Sequence, residues 1–142
     1  MRFMLLIIPK NYENAPEARP DLRAVAAMMQ FNKALAQAGV LRVVEGLAPP
    51  AKGARVSFTS NGEPVVQPGP FPDAKGVSGG YWIIDVPTRE EAIEWAKRCP
   101  MMHGETIEIR PILELSDFSD DVQRAAAGFE QLRDTLYIWP RR

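Results

Sequence analysis

The chain has 142 residues, 46% of them hydrophobic and 25% charged, which is the balance of a soluble globular protein and excludes a disordered one. A formal net charge of -1, from 17 Lys and Arg against 18 Asp and Glu, gives no general attraction to nucleic acid or to an anionic membrane. A single cysteine and a single histidine exclude an internal disulfide and a histidine/cysteine zinc centre, and no Walker or Rossmann pattern occurs, so neither a metal nor another cofactor is expected.

The first element is Phe3 to Ile8, an unbroken apolar run closed by Pro9. A secretory signal needs an apolar stretch of about 7–15 residues with a cleavage site, and a spanning helix needs about 20. The run offers neither, so a cytoplasmic protein is expected, with this run as a central strand covered on both faces. Lys10 to Pro20 reads as a loop.

From Asp21 to Ala38 the pattern is helical. Leu22, Val25, Met28, Met29, Phe31, Leu35 and Ala36 occupy one half of the wheel, and Gly39 supplies the stop. Asn32 falls inside the apolar arc and reads as a border residue bonded to backbone or water rather than a ligand contact. Val40 to Leu47 is a second strand, ended by Ala48-Pro49-Pro50.

Arg55 to Thr59 and Pro64 to Gln67 flank Ser60-Asn61-Gly62-Glu63, and Asn-Gly is a strong hairpin signal. Four prolines stiffen the stretch from Pro64 to Pro72, and a loop follows to Gly80. Tyr81 to Val86 is the next strand. Thr88-Arg89-Glu90-Glu91 forms a capping box for a helix carrying Ala92, Ile93, Ala96 and Cys99 on one side and ending at Pro100. Thr106 to Ile112 is the last strand.

Strand, helix, strand, hairpin, strand, helix, strand is an α+β order, a ferredoxin-like split β-α-β layout with an inserted hairpin. The expected division is a domain over 1–115 and a C-terminal helical extension over 116–142. In the extension Ser119 caps a helix running to about Leu136. Its seam is Val122, Ala125, Phe129, Leu132 and Leu136, with further apolar surface at Tyr137-Ile138-Trp139. A one-sided seam predicts docking, across to another subunit in preference to its own, despite about 1 kcal/mol lost at Gly128.

Strand alternation also sorts the polar residues. Tyr81, Asp85, Glu108 and Arg110 project from the face opposite Trp82, Ile84, Ile107 and Ile109. A tyrosine, two carboxylates and a guanidinium on one face suit a polar ligand or acid-base work. The plain alternative is an ordinary sheet face on which Arg110 pairs with a carboxylate. His103, in the turn Met101-Met102-His103-Gly104, is the one side chain that titrates near neutrality when unperturbed, although a lone loop histidine is usually just exposed. Cys99 lies near a helix C-terminus, without the dipole that activates a thiolate, and reads as packing.

Several blocks resemble a known family in order: Arg2-Phe3-Met4-Leu5-Leu6-Ile7, Ala38-Gly39-Val40-Leu41, Glu45-Gly46-Leu47-Ala48-Pro49-Pro50, Gly69-Pro70-Phe71, Gly79-Gly80-Tyr81-Trp82-Ile83-Ile84-Asp85-Val86, Glu94-Trp95-Ala96 and Ile107-Glu108-Ile109-Arg110-Pro111. Together they resemble the YCII-related proteins, in the subgroup named for an Asp-Gly-Pro-Phe motif. The resemblance implies a ferredoxin-like subunit that pairs into a homodimer, a dimeric α+β barrel whose cavity Tyr81, Asp85, Glu108 and Arg110 would face. Two departures stand out. Pro68 replaces the motif's Asp, and Pro72-Asp73-Ala74-Lys75-Gly76 follows Phe71 with only Lys75 kept in register.

Some relatives use a His-Asp pair, as in a chlorinated-aromatic dehydrochlorinase, but His103 does not match that position. Others are fused to extracytoplasmic-function sigma factors, which implies accessory or regulatory roles. Two function classes follow. One is a module that binds a small polar or anionic molecule through Arg110, with Tyr81 and Lys75 beside it. The other is a lyase or hydrolase-like enzyme using Asp85 or Glu108 as base, with His103 a further catalytic candidate.

Overall fold

The computed structural model describes residues 1–14 and 21–136. The chain divides into two compact units, Met1–Pro111 and Ile112–Arg142. The first contains β1 (Arg2–Ile8), α1 (Leu22–Gln37), β2 (Leu41–Gly46), β3 (Ala54–Phe58), β4 (Pro64–Pro68), β5 (Gly80–Asp85), α2 (Arg89–Lys97) and β6 (Thr106–Pro111), with 3-10 turns at Tyr12–Asn14 and Pro50–Lys52.

Four strands form an antiparallel sheet in the order β2-β5-β1-β6. Each strand-helix-strand unit is split by a strand of the other: β5 lies between β1 and β2, and β1 lies between β5 and β6. The result is a mixed α+β fold with β1 at its centre, where Leu5 faces Trp82 on one side and Ile109 on the other.

Alternate residues of β1 and β5 build the core. Phe3, Leu5, Trp82 and Ile84 are buried with Phe31 and Leu35 of α1, Ala92 of α2, Val86 and Cys99. Phe31 meets Trp82 edge to face, with 5.3 Å between ring centroids. Asn32, one residue on, accepts the Trp82 indole N–H at 2.8 Å, so its place in the apolar arc serves a buried donor rather than backbone or water. Thr88 caps α2 as expected, its hydroxyl accepting from the Glu91 amide at 3.2 Å.

Two expectations about apolar faces need correction. The apolar arc of α1 is not buried along its whole length, since Leu22 is 84% exposed and Val25 and Met29 are exposed as well. A helical wheel fixes direction around the axis but not how far along the axis the sheet extends. Nor is β1 covered on both faces by the described residues: Phe3 and Leu5 are buried, while Met4, Leu6 and Ile8 on the other side are half-buried.

Cys99 is a packing residue, buried with its Sγ 3.9 Å from the Met28 Sδ. Burial, aided by the charge of Glu105, pushes its thiol up from the ordinary 9.0 to about 12. Folding therefore favours the protonated thiol. That contribution is complete below about pH 9 and is lost as pH rises towards about 12. The melting temperature should fall across that window more steeply in the wild type than in Cys99→Ala, and native Cys99 should resist alkylation that proceeds readily after unfolding.

β3 and β4 form a separate two-stranded ribbon, with Val56 opposite Val66 and Phe58 opposite Pro64. Gly62 turns it, at φ +79°. The base is fixed. The Gly69 amide donates to the Gly53 carbonyl at 2.9 Å, and the Phe71 amide to the Glu13 carbonyl at 3.2 Å. Phe71 is buried, with the Arg55 guanidinium 4.2 Å above its ring.

The second unit holds α3 (Asp120–Ala125) and α4 (Phe129–Leu136), after a 3-10 turn at Leu115–Asp117. The single helix expected from Ser119 is thus two. Gly128 adopts φ +92°, a left-handed conformation that ends a helix instead of sitting inside one. Ser119 stands at the cap position of α3 without a side-chain cap bond. Arg133 of α4 donates to the Glu114 carboxylate at 2.8 Å, tying the unit's two ends together. Val122, Phe129 and Leu132 of the predicted seam are exposed. The Leu136 side chain and Tyr137-Ile138-Trp139 lie outside the described residues.

Candidate functional site

Both helices contribute to the core on the Leu5–Trp82 side of the sheet, so the alternate residues of each strand face the other way. Pairing across β5, β1 and β6 lays these residues out in rows. Tyr81, Leu6 and Glu108 form one row, and Ile83, Met4 and Arg110 the next. Asp85 stands opposite Arg2 at the sheet's end. The structure therefore places Tyr81, Asp85, Glu108 and Arg110 on the shared face that alternation predicts.

It does not bring them into one hydrogen-bonded cluster. β5 and β6 are two strand spacings apart, about 10 Å, with Met4 and Leu6 of β1 between them. The middle of the face is apolar: Ile83 is 8% exposed, and Met4, Leu6, Ile8 and Val43 are half-buried around it. Glu108 and Arg110 lie on the edge strand β6, both exposed, and Tyr81 is half-buried.

Asp85 has partners already. Its carboxylate accepts from the Met1 ammonium at 3.2 Å and from the Arg42 guanidinium at 3.4 Å, and Arg42 also donates to the Gly39 carbonyl at 3.2 Å. Sequence reasoning missed Arg42 because its pairing with Asp85 depends on β2 lying beside β5, and on a register that shifts between Leu41 and Val43.

Lys75 and His103 are exposed and come from loops, not from the face. The loop bearing Lys75 approaches the Ile8 end of β1, where the Gly76 backbone lies near the Ile8 side chain. Gly104, next to His103, lies against the Lys10 side chain just beyond the same strand end. Tyr12 closes that end too, donating its hydroxyl to the Leu47 carbonyl at 2.9 Å, and burial pushes its phenol up from the ordinary value.

A shallow depression of 190 Å³ on α2, between Glu91, Glu94, Trp95 and Arg98, is smaller than a typical ligand pocket of about 300–1,000 Å³. Among the described residues no group of three His, Cys, Asp or Glu side chains is placed to hold a metal ion. No helix among them is long and apolar enough to cross a membrane.

A search of curated proteins finds no match to the chain. A family model does match, the YCII-related domain, over residues 1–116, which takes in the whole four-stranded sheet, both core helices and the ribbon. The chain, matched over well more than half its length, belongs to the YCII-related domain family.

Proposed function

We propose that the protein is a homodimer of ferredoxin-like subunits whose open sheet faces meet as a dimeric α+β barrel, enclosing a site for a small polar, anionic or aromatic molecule. The family is one of uncharacterised function, and our reading of this member is a binding module with an accessory or regulatory role, as the family resemblance implies. The observation that carries it is the apolar centre of the open face, Met4, Leu6, Ile8 and Ile83, bordered by Arg110, Glu108 and Tyr81. An apolar stripe gains by being covered, and Arg110 on its rim offers a planar fork to a carboxylate. Gly69-Pro70-Phe71 supports placing the chain in the Asp-Gly-Pro-Phe subgroup, with Pro68 in place of the Asp.

A binding role is favoured over catalysis because Asp85, one of the two candidate bases, is already held by two cationic groups. Glu108 is the remaining carboxylate for the lyase or hydrolase-like alternative. The exposed Val122, Phe129 and Leu132 support docking of the C-terminal helices on a neighbouring subunit.

The test is light scattering followed by a thermal-shift screen of metabolites and turnover assays on any hit. The expected result is the mass of two chains, with a stabilising ligand that binds Arg110→Ala about 10–100-fold more weakly, as loss of a charge-assisted hydrogen bond of about 1.5–3 kcal/mol implies. A wild type with the mass of one chain overturns the dimer. Conversion of the ligand, abolished in Glu108→Gln, overturns the binding role in favour of the enzyme.

A further inference from the structure

The chain carries a second uncovered apolar surface, on the ribbon. The pairing of β3 with β4 puts Val56, Phe58, Pro64 and Val66 on one side and Arg55, Ser57, Val65 and Gln67 on the other. All ten residues of the two strands are exposed, Phe58 at 72%, Val66 at 64% and Val56 at 54%. A two-stranded hairpin is marginal by itself in water. This one is fixed at its base through Gly53, Gly69 and Phe71, yet its apolar side is exposed.

The outer edge of β4 is poorly suited to pairing with another strand, and pairing along either edge would leave the ribbon's apolar side uncovered. β4 begins with Pro64 and ends with Pro68, and neither has an N–H to donate. Docking through the face is the way to bury the surface.

Area identifies the occupant. Four strands at about 4.8 Å spacing, each about six residues long, give the open sheet face a footprint of roughly 400 Å². A stable interface needs about 800 Å² from each partner. Two strands of about five residues add roughly 160 Å². In a two-fold dimer each chain contributes that area twice, once as the ribbon and once as the surface under its partner's ribbon. The ribbons thus raise the planar footprint from roughly 400 to roughly 700 Å², and because accessible area exceeds its projection, that footprint reaches the about 800 Å² of accessible surface that a stable interface buries on each partner.

We propose that the β3–β4 ribbon is a dimerisation arm whose Val56–Phe58–Pro64–Val66 face packs on a second copy of this chain. The proposal rests on the homodimer reading above and adds to it the element that grips. Because these side chains are exposed, acidic substitutions there leave the subunit's own core untouched, which circular dichroism and a cooperative melt check.

Sedimentation velocity on the full chain compares the wild type with the double variant Val56→Asp/Val66→Asp and with Val65→Asp on the opposite side. The expected result is a wild-type dimer, a dimer dissociation constant raised by about tenfold or more in the double variant, and little change in Val65→Asp. Hydrogen exchange on the wild type gives an independent reading, with amides of residues 54–68 becoming protected as concentration rises. A double variant that dimerises as tightly as the wild type overturns the arm and leaves the sheet-to-sheet dimer standing. Equal weakening by Val65→Asp overturns it too, as does a ribbon unprotected at every concentration, which would leave that face to a different partner. A wild type with the mass of one chain throughout removes the arm and the dimer together.

Discussion

Replacing Trp82 with alanine is expected to lower the free energy of unfolding by about 3–5 kcal/mol, a large part of the roughly 5–15 kcal/mol that holds a typical domain. Trp82 is 1% exposed and sits opposite Leu5 on the central strand. Its ring packs edge to face with Phe31 at 5.3 Å, and its indole N–H donates to the Asn32 side-chain amide oxygen, Oδ1, at 2.8 Å. Truncation leaves a cavity between sheet and helix and removes the partner of Asn32 at once. Asn32→Leu isolates the polar part: it leaves the ring in place with its N–H unpaired and should cost about 1–3 kcal/mol. Urea unfolding measures both. A loss below about 1 kcal/mol for Trp82→Ala would mean that the site collapses around the missing ring, against the close packing of an ordinary interior.

The second large effect is expected at Gly69. A Cβ built there overlaps the Pro50 carbonyl oxygen and lies 2.5 Å from the carbonyl carbon. Both are backbone atoms, and the same oxygen accepts the Gly53 amide at 2.9 Å. No rotamer change relieves the clash, so Gly69→Ala must displace the chain at the ribbon's base. That displacement strains the Gly69–Gly53 hydrogen bond and the seat of Phe71. Overpacking alone costs about 1–3 kcal/mol, more where backbone must move, and Gly69→Ala should fall at or above the top of that range. Gly46→Ala is the control, because nothing lies within 4 Å of its added methyl. Thermal melts of the two variants should separate clearly, and equal melting temperatures would contradict the close approach.

This geometry also explains how much of the molecule the sequence discloses. Elements set by local chemistry are legible: the apolar run of β1, the Asn61-Gly62 turn, the Thr88 cap and the alternation that puts Glu108 and Arg110 on one face. The Gly69-Pro70-Phe71 motif is legible as a pattern but not in its physical role. Nothing local says that Gly69 touches Pro50 or that Phe71 lies beneath Arg55. What sequence reasoning misses depends on register and extent. The pairing of β2 with β5, in a register that shifts before Val43, hides the Arg42–Asp85 pair, the limited reach of the sheet leaves Leu22 in solvent, and the backbone at Gly128 makes two helices of one pattern. The candidate site follows the same division. Its face can be read from alternation, whereas the roughly 10 Å between its two polar flanks depends on β1 running between β5 and β6.

The central position of β1 bears on the order in which the protein assembles. Its two neighbours, β5 and β6, are made long after it, so Leu5 must wait for Trp82 and then for Ile109 before both edges of its strand are paired. Contacts between residues so distant in sequence close slowly, because the chain entropy of a large loop is spent before any pairing is gained. Until then Phe3-Met4-Leu5-Leu6-Ile7-Ile8 is an uncharged apolar segment of the length that stacks between molecules. The two residues that bracket it, Arg2 and Pro9, are of the kinds that interrupt such stacking, one by charge and one by lacking an N–H. The strand that completes the native sheet is thus also the segment most exposed to misassembly during synthesis, and its flanks guard it while it waits.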